Sequence, residues 1–371
     1  MSKEIQQIID QLDRFADGER AILATVVDVV GSGYRRPGAR MLIDAAGRSV
    51  GTVSGGCLEA DVLERAKRVL TTNERAVITY DTTRDENSLF GLGMGCRGVV
   101  RILLEPVARE SVIARRLRTV LTNRWRQSSA TVISSNRAVA GGRIYYGEVE
   151  QFDFENLPDR VERFDELQND LVKFYQNGGK PEVRHYRTGA DEFELFFENL
   201  FPPLNLLLFG AGFDALPLIK FAKELGWRVA AIDHRPAFAD AERMPEADQI
   251  IVARPEELPD EIFRDAGSAA VVMTHNYERD REILRRLMRS NCLYVGALGP
   301  KKRTEKLLAE IGETYTPEQL RRLHAPVGLD IGAETPEAIA LAIVAEIEAV
   351  LSGRRGGFLR ERRGSIYGRP D

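Results

Sequence analysis

The stretch "LLLFGAGFDALPL" (206–218) constrains the fold of this chain more than any other. An apolar run suited to a buried parallel strand leads into the pattern G-x-G-x-x-A, and a helical pattern follows. We expect Gly210 to form the tight turn, Gly212 to let the backbone approach a phosphate, and Ala215 to allow close helix–strand packing. Asp233 ends the next apolar run, at the roughly 20-residue spacing of an acid that binds the ribose of a dinucleotide. The stretch predicts a Rossmann-like domain that binds NAD(P) or another nucleotide, and a Rossmann domain without NAD is the alternative.

Strands and helices alternate through the rest of the second half. The apolar pattern predicts strands 204–209, 228–232, 248–252, 269–274 and 292–296, and helices 213–225, 256–264, 278–290, 300–312 and 336–351. This alternation is typical of a doubly wound parallel sheet. His275 follows the fourth strand, at the edge where such sheets bind ligands. A histidine there can titrate near neutral pH, bind a metal or make a structural hydrogen bond, and the sequence leaves these roles open.

The first half predicts an N-terminal α+β domain. Its pattern favours an amphipathic helix over 4–16, a strand in "AILATVVDVVGSG", a hairpin with its turn near Asp44–Gly47, a helix over 57–70, and strands over 76–82 and 98–106. The organisation we predict is a domain over 1–110, a connecting region over 111–200, a Rossmann-like domain over 201–353 and a basic mobile tail over 354–371.

The segment "SGGCLEADVLERA" (54–66) places a cysteine after two glycines, directly before a helical pattern. We expect Cys57 in the first turn of this helix, where unpaired N–H groups favour an anion. Gly55 and Gly56 would leave the approach to the thiolate open. The functional interpretation is a reactive or metal-binding thiolate, and the alternative is a small packed residue.

Arginines are expected beside this cysteine. "GSGYRRPGAR" carries Arg35, Arg36 and Arg40 in a loop that the hairpin should return to the same end. Guanidinium groups suit phosphate and carboxylate oxygens. Cys96, in the glycine-rich "GLGMGCRG", is a further soft ligand for the same site. Together these residues predict an anion site that contains a thiolate, although an arginine-rich turn is often only solvated surface.

Composition excludes several functions. The chain has 371 residues and a net charge of −4, which argues against a general nucleic-acid binder. No apolar run approaches the length that spans a bilayer, and the N-terminus has no signal-peptide pattern, so we expect a cytoplasmic protein without membrane contact. Three cysteines are too few for a disulfide framework or for an all-thiolate iron–sulfur cluster within the chain.

Several of these motifs together resemble the XdhC/CoxI family, accessory proteins of xanthine dehydrogenase and carbon monoxide dehydrogenase. The matching segments are "GSGYRRPGARMLI", "GTVSGGCLEADV", "FGLGMGCRG", "IDHRP", "MTHNYERD", "GALGPKKR" and "HAPVGLDIGAETPEAIALAIVAEI". Many relatives have a histidine where this chain has Phe213, so a role of that histidine is not carried over. Within 110–190 little of the pattern is recognisable.

The resemblance implies a chaperone of the molybdenum cofactor (molybdopterin), rather than an enzyme. Such a protein holds the cofactor while its sulfido ligand is installed by a cysteine desulfurase, and passes it to an apo molybdo-hydroxylase. Cys57 would contact molybdenum or pterin, Arg35, Arg36 and Arg40 would hold the phosphate end, and Cys96 would lie at the same site. A homodimer is expected. The competing hypothesis is an NAD(P)-dependent oxidoreductase that uses the Rossmann-like domain.

Overall fold

The computed structural model describes residues 2–81, 83, 98–123, 125–135, 140–147, 150–157, 164–363 and 366. They form two compact units, Met1–Pro202 and Pro203–Asp371. Among the described residues, no helix is long and apolar enough to cross a membrane.

The N-terminal unit contains four described helices and ten described strands. They are α1 (Ser2–Leu12), β1 (Arg20–Gly31), β2 (Arg40–Asp44), β3 (Ser49–Gly51), α2 (Glu59–Thr72), β4 (Ala76–Asp81), β5 (Gly98–Ala108), α3 (Val112–Thr122), β6 (Gln127–Ser135), β7 (Arg143–Tyr146), β8 (Phe152–Glu155), α4 (Asp165–Gln176), β9 (Glu182–Thr188) and β10 (Asp191–Leu200). The predicted hairpin is confirmed, since β2 pairs antiparallel with β3 across the expected turn.

Two antiparallel sheets in this unit have the same strand order. The first runs β3-β2-β1-β5-β4 and the second β8-β7-β6-β10-β9. Along the chain, each set of five strands is preceded by a helix, α1 or α3. A second helix, α2 or α4, lies between the third and fourth strands of the set. The segments 2–108 and 112–200 are therefore two repeats of one topology, which we call the first and second repeat. The sequence left 111–200 as a connecting region, because its apolar pattern is weak over 147–170.

Buried ion pairs join the repeats reciprocally. Arg40 opens β2 and donates to Glu198 of the second repeat at 2.5 Å. Arg143 opens β7 and donates to Glu105 of the first repeat, with Nη1 2.7 Å from Oε2. The arginines occupy matching positions, because Arg40 pairs across the ladder with Thr25 and Arg143 with Thr131. The arginine of each repeat thus pairs with the glutamate of the other repeat. This reciprocal contact is the pattern of an isologous interface, in which both sides use the same residues.

Apolar side chains also join the two sheets. Val27, Leu103, Ile133 and Phe196 form a small cluster shared by the two sheets. Helix α2 packs on β1, β2, β4 and β5 of the first sheet, and α4 packs on the second. Helices α1 and α3 pack on each other and on the first sheet. All five apolar residues of the predicted N-terminal stripe, Ile5, Ile8, Ile9, Leu12 and Phe15, are buried there.

The C-terminal unit contains one six-stranded parallel sheet among its described residues. Its elements are β11 (Asn205–Phe209), α5 (Ala215–Glu224), β12 (Arg228–Asp233), β13 (Gln249–Val252), β14 (Ser268–Val272), α6 (Tyr277–Met288), β15 (Tyr294–Ala297), α7 (Lys301–Ile311), α8 (Pro317–Arg321), β16 (Leu323–His324) and α9 (Pro336–Leu351). The order β13-β12-β11-β14-β15-β16 is the 3-2-1-4-5-6 order of a dinucleotide-binding sheet. The predicted Rossmann-like fold is thus confirmed.

One predicted helix of this unit is wrong. Instead of a helix over 256–264, the chain forms two short 3₁₀ turns, Pro255–Glu257 and Asp260–Arg264. Pro259 lies between them, and proline lacks the N–H that would continue a helix. The last helix, α9, begins as predicted, with the Thr335 side chain accepting the N–H of Ala338 and Pro336 in the first position.

Candidate functional site

The loop before α2 closes around one buried hydroxyl. Ser54 Oγ accepts the N–H groups of Gly56 at 3.2 Å and Leu58 at 3.1 Å, and it donates to the Glu59 carboxylate. Glu59 also accepts the N–H of Ser54 at 2.8 Å. Burial works to raise the pKa of Glu59, but the hydrogen bonds from Ser54 outweigh it and hold this pKa below its usual value. The loop is therefore fixed from within, and Gly55, Gly56 and Cys57 remain on its exposed side.

Cys57 is exposed, but it lies outside the helix in which it was predicted. Helix α2 begins at Glu59 and Leu58 is its N-cap, so Cys57 precedes the first turn. The prediction was wrong because the positive φ of Gly56 is not helical, so the helix can begin only after that residue. The thiol donates to Ser54 Oγ at 3.6 Å. Gly56 has a φ of +107°, which side chains rarely adopt, so a glycine is required beside the cysteine.

The arginine-rich loop meets the cysteine loop through an aromatic ring. Gly55 packs against Tyr34, where an added Cβ would lie 3.2 Å from the ring. This ring is two-thirds exposed. Arg35 follows it and forms an ion pair with Glu4 of α1, while Arg36 is half-buried. The two loops thus lie together at one end of the first sheet.

One of the predicted site residues is not available there, and another lies outside the part of the chain that the structure describes. Arg40 was predicted in the loop, but it lies in β2, is 1 % exposed and is occupied by Glu198 and by the carbonyl oxygen of Gly38. A guanidinium buried in this way cannot hold a phosphate, so the prediction for Arg40 is wrong. Cys96 lies outside the described residues. Among the residues the structure does describe, no three His, Cys, Asp or Glu side chains are grouped to hold a metal ion.

The C-terminal unit builds the predicted glycine turn. Gly210 has a φ of +116°, and an added Cβ would lie 2.4 Å from the carbonyl oxygen of Met273 in the neighbouring segment. Its N–H donates to Ile232 O at 2.8 Å. Gly212 follows in the turn, and Ala215, fully buried, begins α5. This geometry is the one that brings a phosphate close to the backbone at the start of a helix.

Asp233 lies at the carboxyl end of β12, directly beside this turn. Its Oδ2 accepts the N–H of Ala211 at 2.9 Å. Arg235 donates to the same carboxylate through Nε at 3.0 Å and through Nη2 at 2.8 Å. Burial works to raise the pKa of Asp233, but the hydrogen bonds from Arg235 and Ala211 lower it to about 2. The carboxylate is therefore ionised and fully engaged within the protein.

His275 lies across the turn from α5 and forms a hydrogen bond with Asp214 that the sequence did not reveal. Its Nε2 donates to Asp214 Oδ2 at 2.7 Å. Asp214 is the N-cap of α5, yet its side chain caps no N–H of that helix. His275 is 60 % exposed and has a φ of +57°, an uncommon backbone conformation. An imidazole held by a carboxylate at the ligand-binding edge of the sheet is suited to proton transfer or to binding an anion.

Sequence reasoning therefore missed several residues that shape the two sites. They are Tyr34, Ser54, Glu59, Asp214 and Arg235. The signal for Arg235 was its place two residues after the predicted acid in "IDHRP". The signal for Asp214 was a carboxylate within G-x-G-x-x-A, next to a predicted helix start.

Comparisons with known proteins agree with both units. Residues 15–81 match the XdhC and CoxI family, and residues 206–347 match the XdhC Rossmann domain. The chain is 34 % identical to a protein of Bacillus subtilis described as a probable xanthine dehydrogenase subunit, over 89 % of this chain and 93 % of that protein. It is 23 % identical to the molybdenum cofactor insertion chaperone PaoD of Escherichia coli, over 91 % of this chain and 86 % of PaoD.

A solved structure extends the likeness to the whole fold. A crystal structure described as a xanthine dehydrogenase from Bacillus halodurans matches with a TM-score of 0.76 and 28 % identity, over 95 % of this chain and 96 % of that one. One family match lies in the N-terminal unit and the other in the C-terminal unit, and the match to the Bacillus subtilis relative spans both units. The chain therefore belongs to the XdhC and CoxI family and carries the family's Rossmann domain.

Proposed function

We propose that this protein binds the molybdenum cofactor as cargo, supports its sulfuration and delivers it to an apo-enzyme of the xanthine dehydrogenase type. The names of two relatives support this role, since one is a cofactor insertion chaperone and the other a probable subunit of the enzyme. These names do not say which residues of this chain act. The observation that carries the proposal is the exposed Cys57 thiol, on a loop fixed by Ser54 and Glu59.

The residues around Cys57 fit such a cargo. The thiol is a soft ligand that can bind molybdenum as a thiolate. Space around Gly56 is open, because nothing lies within 4 Å of a Cβ placed there. Tyr34 offers an exposed ring beside it, which suits a planar pterin. Arg35 and Arg36, in the adjoining loop, are the guanidinium groups for the phosphate end.

The central experiment compares two cysteine variants. Cys57→Ala should retain less than a tenth of the molybdenum that the wild-type chain retains after gel filtration with extracted cofactor. Cys292→Ala is the matched control, because Cys292 is fully buried in the C-terminal unit and should leave retention unchanged. Equal retention by wild type and Cys57→Ala would remove the thiol from the proposal.

The accessibility of Cys57 and Cys292 gives an independent check. Cys57 is exposed and Cys292 is buried, so a thiol reagent should modify Cys57 at least tenfold faster in the native protein. Bound cofactor should protect Cys57 from this reaction. Modification at an unchanged rate in the loaded protein would place the cargo elsewhere.

The proposed partners are an apo molybdo-hydroxylase, a cysteine desulfurase and a second copy of this chain. The loaded protein should activate the apo-enzyme, and activation should rise when a desulfurase and cysteine are present during loading. Activation that is the same with free cofactor and without this chain would contradict the delivery role. Sedimentation at micromolar concentration tests the homodimer, which a single species of monomer mass would refute.

The second candidate function is nucleotide binding, with an NAD(P)-dependent oxidoreductase as its enzymatic form. The observation that favours it is the His275–Asp214 pair beside the glycine turn at Gly210. Titration calorimetry with NAD and NADP tests the binding. If His275 acts as an acid–base group, His275→Ala should lower a measured rate of hydride transfer while leaving dinucleotide affinity within about twofold. No heat with either dinucleotide would contradict this candidate.

A further inference from the structure

The carboxylate of Asp233, which would bind a ribose, already accepts hydrogen bonds from the protein at all of its acceptor positions. Asp233 Oδ1 accepts the backbone N–H of Arg235 at 2.9 Å and its Nε at 3.0 Å. Oδ2 accepts Nη2 of Arg235 at 2.8 Å and the N–H of Ala211 at 2.9 Å. A carboxylate has about four acceptor positions, so these four bonds fill them. The side chain is also only 1 % exposed.

This saturation matters because an NAD site uses the same acid differently. At the end of the second strand, the carboxylate normally accepts hydrogen bonds from the hydroxyls of the adenosine ribose. A free ribose diol that enters here would meet no open acceptor on Asp233. Burying its hydroxyls without partners would cost free energy rather than gain it.

The group that faces a ligand at this position is the guanidinium of Arg235. Its side chain is about one-third exposed. One edge of the guanidinium is held by Asp233, and its Cζ atom lies 4.0 Å from the centroid of the Phe238 ring. A guanidinium fixed on two sides loses little freedom when it binds, and its remaining N–H groups suit phosphate oxygens.

Further positive charge surrounds this edge. Burial lowers the pKa of His234 below its usual value, and the charges of Arg279, Arg235 and Arg254 lower it further, while Asp233 opposes them. His234 and Arg279 line a small cavity at the ends of β12 and β14, together with Asp233 and Thr274. Arg235, Arg254 and Arg279 thus act at this edge, opposed by the carboxylate of Asp233 and, at Arg235, by that of Asp214 as well.

We propose that this edge selects nucleotides whose adenosine ribose carries a phosphate monoester, the class to which NADP belongs, over nucleotides with a free diol. Arg235 is the specificity-determining residue, and Asp233 positions it. We build here on the second candidate function, and the role of Cys57 in the N-terminal unit is independent of it.

The first experiment uses two probes that differ by a single phosphate. Adenosine 2′,5′-bisphosphate and AMP are titrated separately into the full-length protein by calorimetry. We expect the bisphosphate to bind at least tenfold more tightly, and NADP to be preferred over NAD in the same way. Equal affinities would overturn the selectivity while leaving nucleotide binding in place. No binding of either probe would overturn both the selectivity and the second candidate function.

Variants then assign the selectivity to one side chain. Arg235→Ala should abolish the preference, because it removes the guanidinium and frees the Asp233 carboxylate for a ribose hydroxyl. Asp233→Asn should keep a preference of at least fivefold, because Arg235 retains its charge. Arg264→Ala is the control, since Arg264 is 70 % exposed and precedes β14, at the opposite edge of the sheet.

Circular dichroism and thermal melting show whether Arg235→Ala folds. If it does not fold, Arg235→Lys tests the same side chain. Lysine keeps the charge but lacks the planar fork, so the preference should fall at least threefold from the wild-type value. A full wild-type preference in either Arg235 variant would overturn the assignment. Loss of all preference in Arg264→Ala would overturn it as well.

Discussion

The two repeats of the N-terminal unit share a framework, but only the first has the loop that carries Cys57. The matching residues Arg40 and Arg143 open β2 and β7, and each is buried in an ion pair with the other repeat. The loop before α2 is "SGGCL", whereas the segment before α4 reads "DRVERF" (159–164) and has neither glycine nor cysteine. The second repeat therefore reaches the same strand order without the cysteine loop. The difference teaches that Cys57 and its glycines are not required by the fold, which favours a functional reason for them.

The largest expected effect tests whether the repeats are energetically equivalent. Replacing one partner of a buried ion pair leaves the other charge uncompensated and costs about 3–5 kcal/mol. Arg40→Met and Arg143→Met should each lower the free energy of unfolding by this amount, as measured by urea denaturation. The two losses should agree within about 1 kcal/mol, because the positions match.

Removing both partners controls for the shape of the side chains. Arg143→Met combined with Glu105→Leu should recover most of the loss, since a packed apolar pair can replace a buried ion pair. A large cost at Arg143 with almost none at Arg40 would break the equivalence of the repeats.

The next effect concerns the apolar cluster that the sheets share. Leu103 and Phe196 lie at matching positions, each two residues before the glutamate of a reciprocal pair. Phe196→Leu should leave a cavity and Leu103→Phe should overpack the cluster, and each should cost about 1–3 kcal/mol. The exchange of both residues conserves the total volume, so it should cost less than the sum of the two. A double-mutant cycle in urea measures this coupling, and simple additivity would show that the two side chains do not share one space.

In the sequence, the repeat is visible only as two short pairs of similar segments. "ATVV" (24–27) recurs as "ATVI" (130–133), and "GAR" (38–40) recurs as "GGR" (141–143). Segments of three or four residues are too common to indicate a duplication. What makes them significant is the pairing register, which places Arg40 opposite Thr25 and Arg143 opposite Thr131. No local sequence pattern shows this register.

The Rossmann-like fold was the most predictable part of the chain. Its strands are short apolar runs bounded by glycine and proline, and the spacing of Gly210, Gly212 and Ala215 is specific to one turn. The partners of the charged side chains were not predictable. Asp233 stands where the sequence placed it, but its saturation by Arg235 depends on side-chain geometry. Likewise, Arg40 reads as part of a loop until Glu198, far along the chain, is brought against it.

A smaller effect is expected when the hydroxyl of Ser54, in the loop before α2, is removed, and it can be compared with the removal of the hydroxyl of Ser129, a buried serine of the second repeat. Ser54→Ala leaves the N–H groups of Gly56 and Leu58 without their acceptor and removes the hydroxyl donor to Glu59, which keeps only the N–H of residue 54, so it should cost about 1–3 kcal/mol. Ser129→Ala should cost less, because the Ser129 hydroxyl makes one long bond, 3.4 Å from Glu198. Urea denaturation of the two variants measures both costs. A larger loss at Ser129 would mean that the loop before α2 is not fixed by its serine.

The smallest effect is the pH dependence that the cysteine loop adds to the first repeat. Because hydrogen bonds hold the pKa of Glu59 below its usual value of 4.5, its ionised form stabilises the folded state above about pH 4.5. This contribution is lost as the pH falls through the lower, folded-state pKa. Glu59→Gln should therefore be less stable than the wild type at pH 7, and the gap should narrow as the pH is lowered towards 3. Urea midpoints of the two proteins across this range measure the gap, with Glu166→Gln in α4 as the matched variant of the second repeat. A constant gap at every pH would mean that the Glu59 side chain stabilises the loop by its shape rather than by its charge, and the electrostatic distinction between the two helix starts would then disappear.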